Sequence, residues 1–211
     1  MKRSRFLLVT IYSLLVAVFL WGCGGGPGSP GSGNTEDTGV TLEASILPTY
    51  LGSNTYSVDV VRQICQAGPP PVYEKFTDHG ATVTITARLL NPNAQLPPGV
   101  LFIEKYTVEY RRSSDSVGAP PIESDTRFNT IAIAPPTGTG TSTVTATLIF
   151  VDLIRKDKYL TDMTSGQFTS GLAYINNYTA IYTFEGKNAY GKAFSFKAQT
   201  DFHIGSFDYC S

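Results

Sequence analysis

The sequence predicts an all-β protein, an antiparallel sandwich of about eight strands. Apolar and polar residues alternate in segment after segment, which is the period of a half-buried strand. Threonine, tyrosine and phenylalanine are plentiful and charge is sparse, a composition that suits pleated sheet. Proline pairs or triplets at Pro69–Pro71, Pro97–Pro98, Pro120–Pro121 and Pro135–Pro136 fall between the alternating segments, where a missing N–H does least harm. Helical patterns do not alternate with the strands, so a parallel sheet is disfavoured.

The chain opens with Lys2, Arg3 and Arg5, followed by the uncharged run Phe6 to Trp21. A basic start, an apolar middle and small residues at the end describe an export signal. The run is short of the roughly 20 residues a spanning helix needs. Residues 24–39, GGGPGSPGSGNTEDTG, carry no large apolar side chain. Such a segment buries too little surface to offset the entropy of ordering it. It reads as a tether with an r.m.s. reach of about 20–24 Å.

Residues 40–211 are then one folded domain. In 82–89, Val83, Ile85, Ala87 and Leu89 face one way. Tyr106, Val108 and Tyr110 do so in 106–110, and Val144, Ala146, Leu148 and Phe150 in 143–150. Tyr178, Ala180, Tyr182 and Phe184 repeat the pattern, as do Phe194, Phe196, Ala198 and Phe202. Weaker strands fit 40–47, 55–64 and 127–134. Residues 155–163 fit a short helix in the crossover before a strand at 173–186. The segment 65–80 is long for a hairpin connection and reads as an insertion or a functional loop.

Two resemblances sharpen this. Leu20-Trp21-Gly22-Cys23 resembles the lipobox of bacterial lipoproteins. The resemblance implies cleavage before Cys23, diacylglycerol on its thiol and an acylated new N-terminus. The chain then divides into a signal peptide (1–22), a lipidated cysteine with tether (23–39) and the domain (40–211). Two or three acyl chains anchor a protein firmly where one is marginal. Gly24, where no aspartate follows the cysteine, implies the outer membrane rather than the inner. Further on, Tyr182 to Gly191, YTFEGKNAYG, is similar to the Y-x-C-x-A-x-N-x-x-G spacing of immunoglobulin-like domains. That spacing marks their sixth strand and the hairpin after it, with Phe184 standing for the cysteine. YTVEYRR, 106–112, resembles the third strand of a fibronectin type III domain. An immunoglobulin-like sandwich is implied, with Tyr182 sending its hydroxyl to nearby backbone as a tyrosine corner.

Charge excludes some functions. Without the three basic residues of the leader, thirteen of the sixteen basic residues remain against seventeen acidic ones, a net charge of −4. No basic stripe is left for nucleic acid and no polybasic patch for anionic lipid. With Cys23 lipidated, Cys65 and Cys210 remain, and an exported compartment lets them bond. The alternative is two separate buried thiols.

Catalytic signatures are missing from the sequence: it has no G-x-S-x-G, HExxH, Walker or dinucleotide motif. His79 follows Asp78 in the 65–80 segment and reads as part of a solvated turn; His203 reads as a surface residue. Asp152, Asp157 and Asp162 lack calcium-loop spacing and read as solvation and helix-end charge. No catalytic residue, cofactor or metal is therefore expected. Aromatic residues on loops are the better lead, because tyrosine often anchors partners. Tyr73, Phe76 and His79 in the 65–80 segment and Tyr190 on the last hairpin are the candidate contacts.

The expected protein is a lipid-anchored envelope lipoprotein, a non-catalytic binding or assembly module for another protein or a surface polymer. The alternatives are a lipid-anchored carbohydrate-active enzyme or carbohydrate-binding accessory protein, and a structural subunit that assembles by strand pairing. Replacing Cys23→Ser is expected to move the protein from the membrane to the soluble fraction without unfolding it; a variant that still sediments with membranes refutes the anchor.

Overall fold

The computed structural model describes residues 33–35, 38–93, 98–171 and 174–210. The leader, Cys23 and most of the tether lie outside these residues. In chain order the strands are β1 (Gly33–Asn34), β2 (Val40–Tyr50), β3 (Ser53–Asn54), β4 (Ser57–Asp59), β5 (Ile64–Gln66), β6 (Val72–Tyr73), β7 (His79–Leu89), β8 (Leu101–Arg112), β9 (Asp125–Ile133), β10 (Thr141–Val151), β11 (Asn176–Asn188) and β12 (Ala193–Gly205). An α-helix, α1 (Leu153–Thr164), lies between β10 and β11, and a single 3-10 turn, Ser114–Ser116, follows β8.

Seven of these strands are long and form two antiparallel sheets. The smaller sheet runs β10-β7-β2, with β3 on the far side of β2. The larger runs β12-β11-β8-β9, and the free side of β12 is covered by β1 at one end and by the parallel strand β4 at the other. Of the seven long strands, β8 is the third and β11 the sixth, and they lie side by side in the larger sheet.

The alternation seen in the sequence is the alternation of burial. Val83, Ile85 and Ala87 of β7 and Tyr178, Ala180, Tyr182 and Phe184 of β11 are fully buried. Phe184 stacks on Phe196 with ring centroids 4.9 Å apart, and Phe150 meets Phe202 edge-on at 4.9 Å. Each such ring contributes roughly 1.5–3 kcal/mol by leaving water. In β8 the buried positions change parity, from Leu101 and Ile103 to Tyr106 and Val108. A bulge causes this: Glu185 faces Lys105, but Gly186 faces Ile103, so Glu104 is the extra residue.

The expected weaker strands shift in instructive ways. Strand 40–47 runs to Tyr50, and 127–134 is observed at 125–133. The expected strand 55–64 is broken into β4 and β5. Asp59 Oδ1 accepts the Val61 N–H at 3.2 Å, a local turn that outcompetes the ladder. The helix begins two residues before its expected start because Asp152 caps it, accepting the Arg155 N–H at 3.0 Å. The same carboxylate takes Arg127 at 2.8 Å and Arg155 at 2.7 Å, which ties β9 to the helix start.

The expected tyrosine corner is not formed. Tyr182 lies mid-strand and donates its hydroxyl across the sandwich to the Ile149 carbonyl at 2.9 Å. The hairpin part of the motif holds. Asn188 Oδ1 accepts from Tyr190 N and Lys192 N, and Gly191 takes the positive φ of 80° that closes the turn.

A Cβ at Gly186 would lie 2.0 Å from the Phe102 carbonyl oxygen, so the bulge leaves room only for glycine. Gly186→Ala is expected to cost about 1–3 kcal/mol in urea unfolding, the usual scale of overpacking; an unchanged midpoint would show that the bulge relaxes.

Candidate functional site

The two ends of the sandwich differ. At one end the chain arrives from the tether: β1 pairs with Ser195 and Phe196, and Val40 faces Leu89. Gly33 and Asn34, counted with the tether in the sequence, are thus already on the domain. Tyr190 is at this end, 71% exposed on the β11–β12 hairpin. The other end is built where β2 stops and β7 starts, and the excursion 51–78 closes over it.

Beneath that excursion is a buried polar cluster. Tyr50 stacks on His79 with centroids 4.0 Å apart, and Tyr209 meets Tyr50 edge-on at 4.9 Å. His79 Nε2 lies 3.0 Å from the Ser57 carbonyl, and the Tyr209 hydroxyl donates to the same oxygen at 2.8 Å. Because a carbonyl only accepts, Nε2 carries the imidazole proton. Burial, with Lys156 nearby, pulls the imidazole down to about 3, so it is neutral. His79 is therefore an interior residue at the start of β7; the expected solvated turn is wrong, and a buried ring offers no surface to a partner. Its neighbour Asp78 draws β7 out of the loop by accepting the Leu153 N–H at 2.7 Å.

Lys156 is fully buried on α1, in the i, i+3, i+7 stripe it shares with Tyr159 and Met163. Its Nζ donates to the Thr77 carbonyl at 2.7 Å and sits over the Phe76 ring at 4.4 Å and the Tyr50 ring at 4.8 Å. Burial draws its pKa down to about 8, while Asp59 and Asp78 pull the other way. Phe76, expected as a loop contact, is thus half-buried against a lysine.

Two carboxyl groups fasten the excursion. Asp59 Oδ1 accepts from Val61 N and from Phe207 N, the latter at 2.9 Å. Glu74 Oε1 accepts from Gln63 N and Oε2 from Tyr209 N, each at 2.9 Å. Burial pushes the Asp59 carboxyl up to about 7; the two N–H groups oppose this and the adjacent Glu74 adds to it. Asp59 Oδ2, otherwise unpartnered, then carries the proton. Glu74, Asp208 and Cys210 also converge within 4.8 Å. The Cys210 sulfur is bonded to Cys65, however, and both Glu74 oxygens already take backbone N–H groups. These donors hold the C-terminal tail in place.

The Cys65–Cys210 disulfide is formed, with Cα atoms 5.2 Å apart, across 145 residues of chain. In the chain-entropy view a loop of that length is worth about 5 kcal/mol. It pins the β5–β6 hairpin, on which Ile64 faces Tyr73. Ile64, Val72 and Tyr73 are 55%, 49% and 44% exposed, and the Arg62 guanidinium sits 4.6 Å from the Tyr73 ring. Leu51, half-exposed at the β2–β3 turn of the same end, holds a φ of 49° that side chains avoid. Sequence reasoning found Tyr73 but missed Ile64, Val72 and Leu51; it also missed Phe128, 83% exposed on β9. Glu104, Glu109 and Glu123 are exposed, and His203 Nδ1 meets Asn177 Oδ1 on the surface.

Among the described residues the fold is an all-β antiparallel sandwich with one α-helix. Compared with known family models, curated proteins and solved structures, the chain matches none. Among the described residues no helix is long and apolar enough to cross a membrane.

Because the folded state keeps the Asp59 proton, stability falls as pH rises from the ordinary carboxylate range near 4 to about 7, and is level above. His79 acts oppositely, losing stability as pH falls below its ordinary value. Asp59→Asn keeps the Oδ1 acceptor and carries an N–H group that does not titrate in place of the Oδ2 proton. Its stability relative to the wild type is expected to rise by about 2–4 kcal/mol between pH 4 and pH 8 in urea unfolding; a pH-independent difference refutes the buried proton.

Proposed function

We propose that the chain is a lipid-anchored envelope lipoprotein of the bacterial outer membrane whose immunoglobulin-like sandwich is a non-catalytic binding module for another protein or a surface polymer. The observation that carries this reading is the disulfide-pinned hairpin with Ile64, Val72 and Tyr73 half-exposed, at the end of the domain opposite to the tether. A lipid at Cys23 and the Gly/Ser/Pro-rich run after it would present that end to the surroundings. The exposed apolar residues are costly to leave in water unless a partner covers them. The left-handed Leu51 in the neighbouring turn fits the same reading, since backbone strain collects where a surface is used.

Two further features support it. The positions of β8 and β11 as third and sixth long strands match the fibronectin type III and immunoglobulin-like spacing read from 106–112 and 182–191. Among the described residues the one strongly perturbed carboxyl group, Asp59, is sealed and aimed at backbone N–H groups, an arrangement suited to holding structure rather than to catalysis in an open cleft.

Replacing Ile64, Val72 and Tyr73 together by serine is expected to leave the thermal midpoint within a few degrees, because all three are substantially exposed. In cross-linking of intact cells followed by mass spectrometry, the wild type is expected to capture a stoichiometric envelope partner and the triple variant at least tenfold less. Equal capture by both would move the contact away from this hairpin.

A further inference from the structure

The sandwich treats its edges unequally. The free side of β12 is covered by β1 and β4. The outer side of β2 carries Glu43 and Pro48 and is capped by β3 at Thr49–Tyr50. Strand β9 has a register break in its pairing with β8, and its Asp125 and Arg127 are paired with charges of the helix start. Charges, proline, bulges and covering strands are the usual means of keeping a sheet edge from pairing.

Strand β10 carries a bulge only at its end, between Ile149 and Val151, and none of these devices before it. Its last turn of strand is closed by tyrosines of the opposite sheet. Ile149 N donates to the Tyr106 hydroxyl at 3.3 Å, Tyr182 donates to Ile149 O at 2.9 Å, and Tyr110 donates to Phe150 O. Both main-chain groups of Ile149 therefore point away from β7. In an antiparallel ladder the groups of alternate residues share a side. The register from Thr141 to Ile149 is unbroken, so Thr147, Thr145, Thr143 and Thr141 also direct N–H and C=O outward. Among the described residues nothing pairs with them. Their side chains are exposed, and the core-facing Val144 and Ala146 between them are only half-buried. No residue from Ala134 to Val151 is charged or a potential charge, and the only prolines are Pro135 and Pro136, ahead of the strand.

We propose that Thr141–Thr147 is a strand-pairing edge through which two copies of this chain join their smaller sheets about a two-fold axis at Val144. Pairing an edge with itself sets every side chain against its own kind, and a charged edge would meet like charge. This neutral edge has none, and in the register centred on Val144 it sets threonine opposite threonine: Thr141 against Thr147 and Thr143 against Thr145. Such pairs are favourable across strands. All four outward residues then find main-chain partners, and the half-exposed Val144 and Ala146 gain cover. The inference goes beyond the proposed function and is independent of the lipid anchor and of the distal hairpin.

The test uses the full chain in mild detergent, measured by sedimentation equilibrium with the detergent density-matched. The wild type is expected at the dimer mass. Thr145→Pro removes an outward N–H that the β7 ladder does not use, so it is expected to give a monomer with a near-native thermal midpoint; Thr143→Lys is expected to do the same should the proline variant not fold. Val144→Cys is expected to give a covalent dimer on mild oxidation and Thr147→Cys is not, because only residue 144 meets its own copy. A wild-type monomer, or a dimer that survives both edge variants, overturns the proposal and leaves the Cys23 fractionation and hairpin capture results unaffected.

Discussion

Four backbone N–H groups, from Val61, Gln63, Phe207 and Tyr209, converge on the carboxyl groups of Asp59 and Glu74. Those four residues lie in stretches with no ladder to satisfy them. A buried N–H without a partner costs roughly 1–3 kcal/mol, so two side chains here do what a strand does elsewhere. Once they are in place the rest of the distal end follows. The tail reaches Cys65, Tyr209 covers Tyr50 and His79, and the hairpin is held out for contact. The cost is a pair of acidic groups buried side by side, which one retained proton relieves.

The lysine beneath them completes the arrangement. Lys156 brings a charge into the core, yet its Nζ meets the Thr77 carbonyl and two aromatic faces. It fastens the helix to the excursion, as the disulfide fastens the C-terminal tail to it. A neutral His79 beside it avoids a second positive charge in the same space. The end of the domain that carries the exposed apolar hairpin is thus held by a disulfide, a buried lysine and two carboxyl groups.

The tyrosines divide their labour in a way composition alone does not reveal. Tyr106, Tyr110 and Tyr182 fill the core with their rings and use their hydroxyls to close the end of β10. Tyr178 reaches the Pro120 carbonyl and Tyr159 receives Asn176, which secures the helix crossover. An aromatic with a polar tip suits a thin sandwich, whose core lies within one ring length of an edge.

Much of this was legible in the chain. Alternation over 82–89, 143–150, 178–185 and 194–202 fixed which residues face inward, because a strand's side-chain period leaves no other choice. The Asn188–Gly191 spacing fixed the last hairpin through local backbone preference, and the helix was visible near its true ends. Cysteine parity allowed the bond between Cys65 and Cys210, but their being neighbours depends on where β12 ends relative to β5. What only the tertiary structure decided is of that non-local kind. Asp59, Glu74, His79 and Lys156 look like ordinary polar residues in loops, a strand start and a helix. Their burial and their partners, and the shifted protonation equilibria of Asp59, His79 and Lys156, come from segments up to 148 residues apart meeting at one end. The same holds for β10, whose sequence shows a regular strand but not which side of it is left without a neighbour. Local periodicity reports the orientation of a side chain; its surroundings are set by the packing of the whole chain.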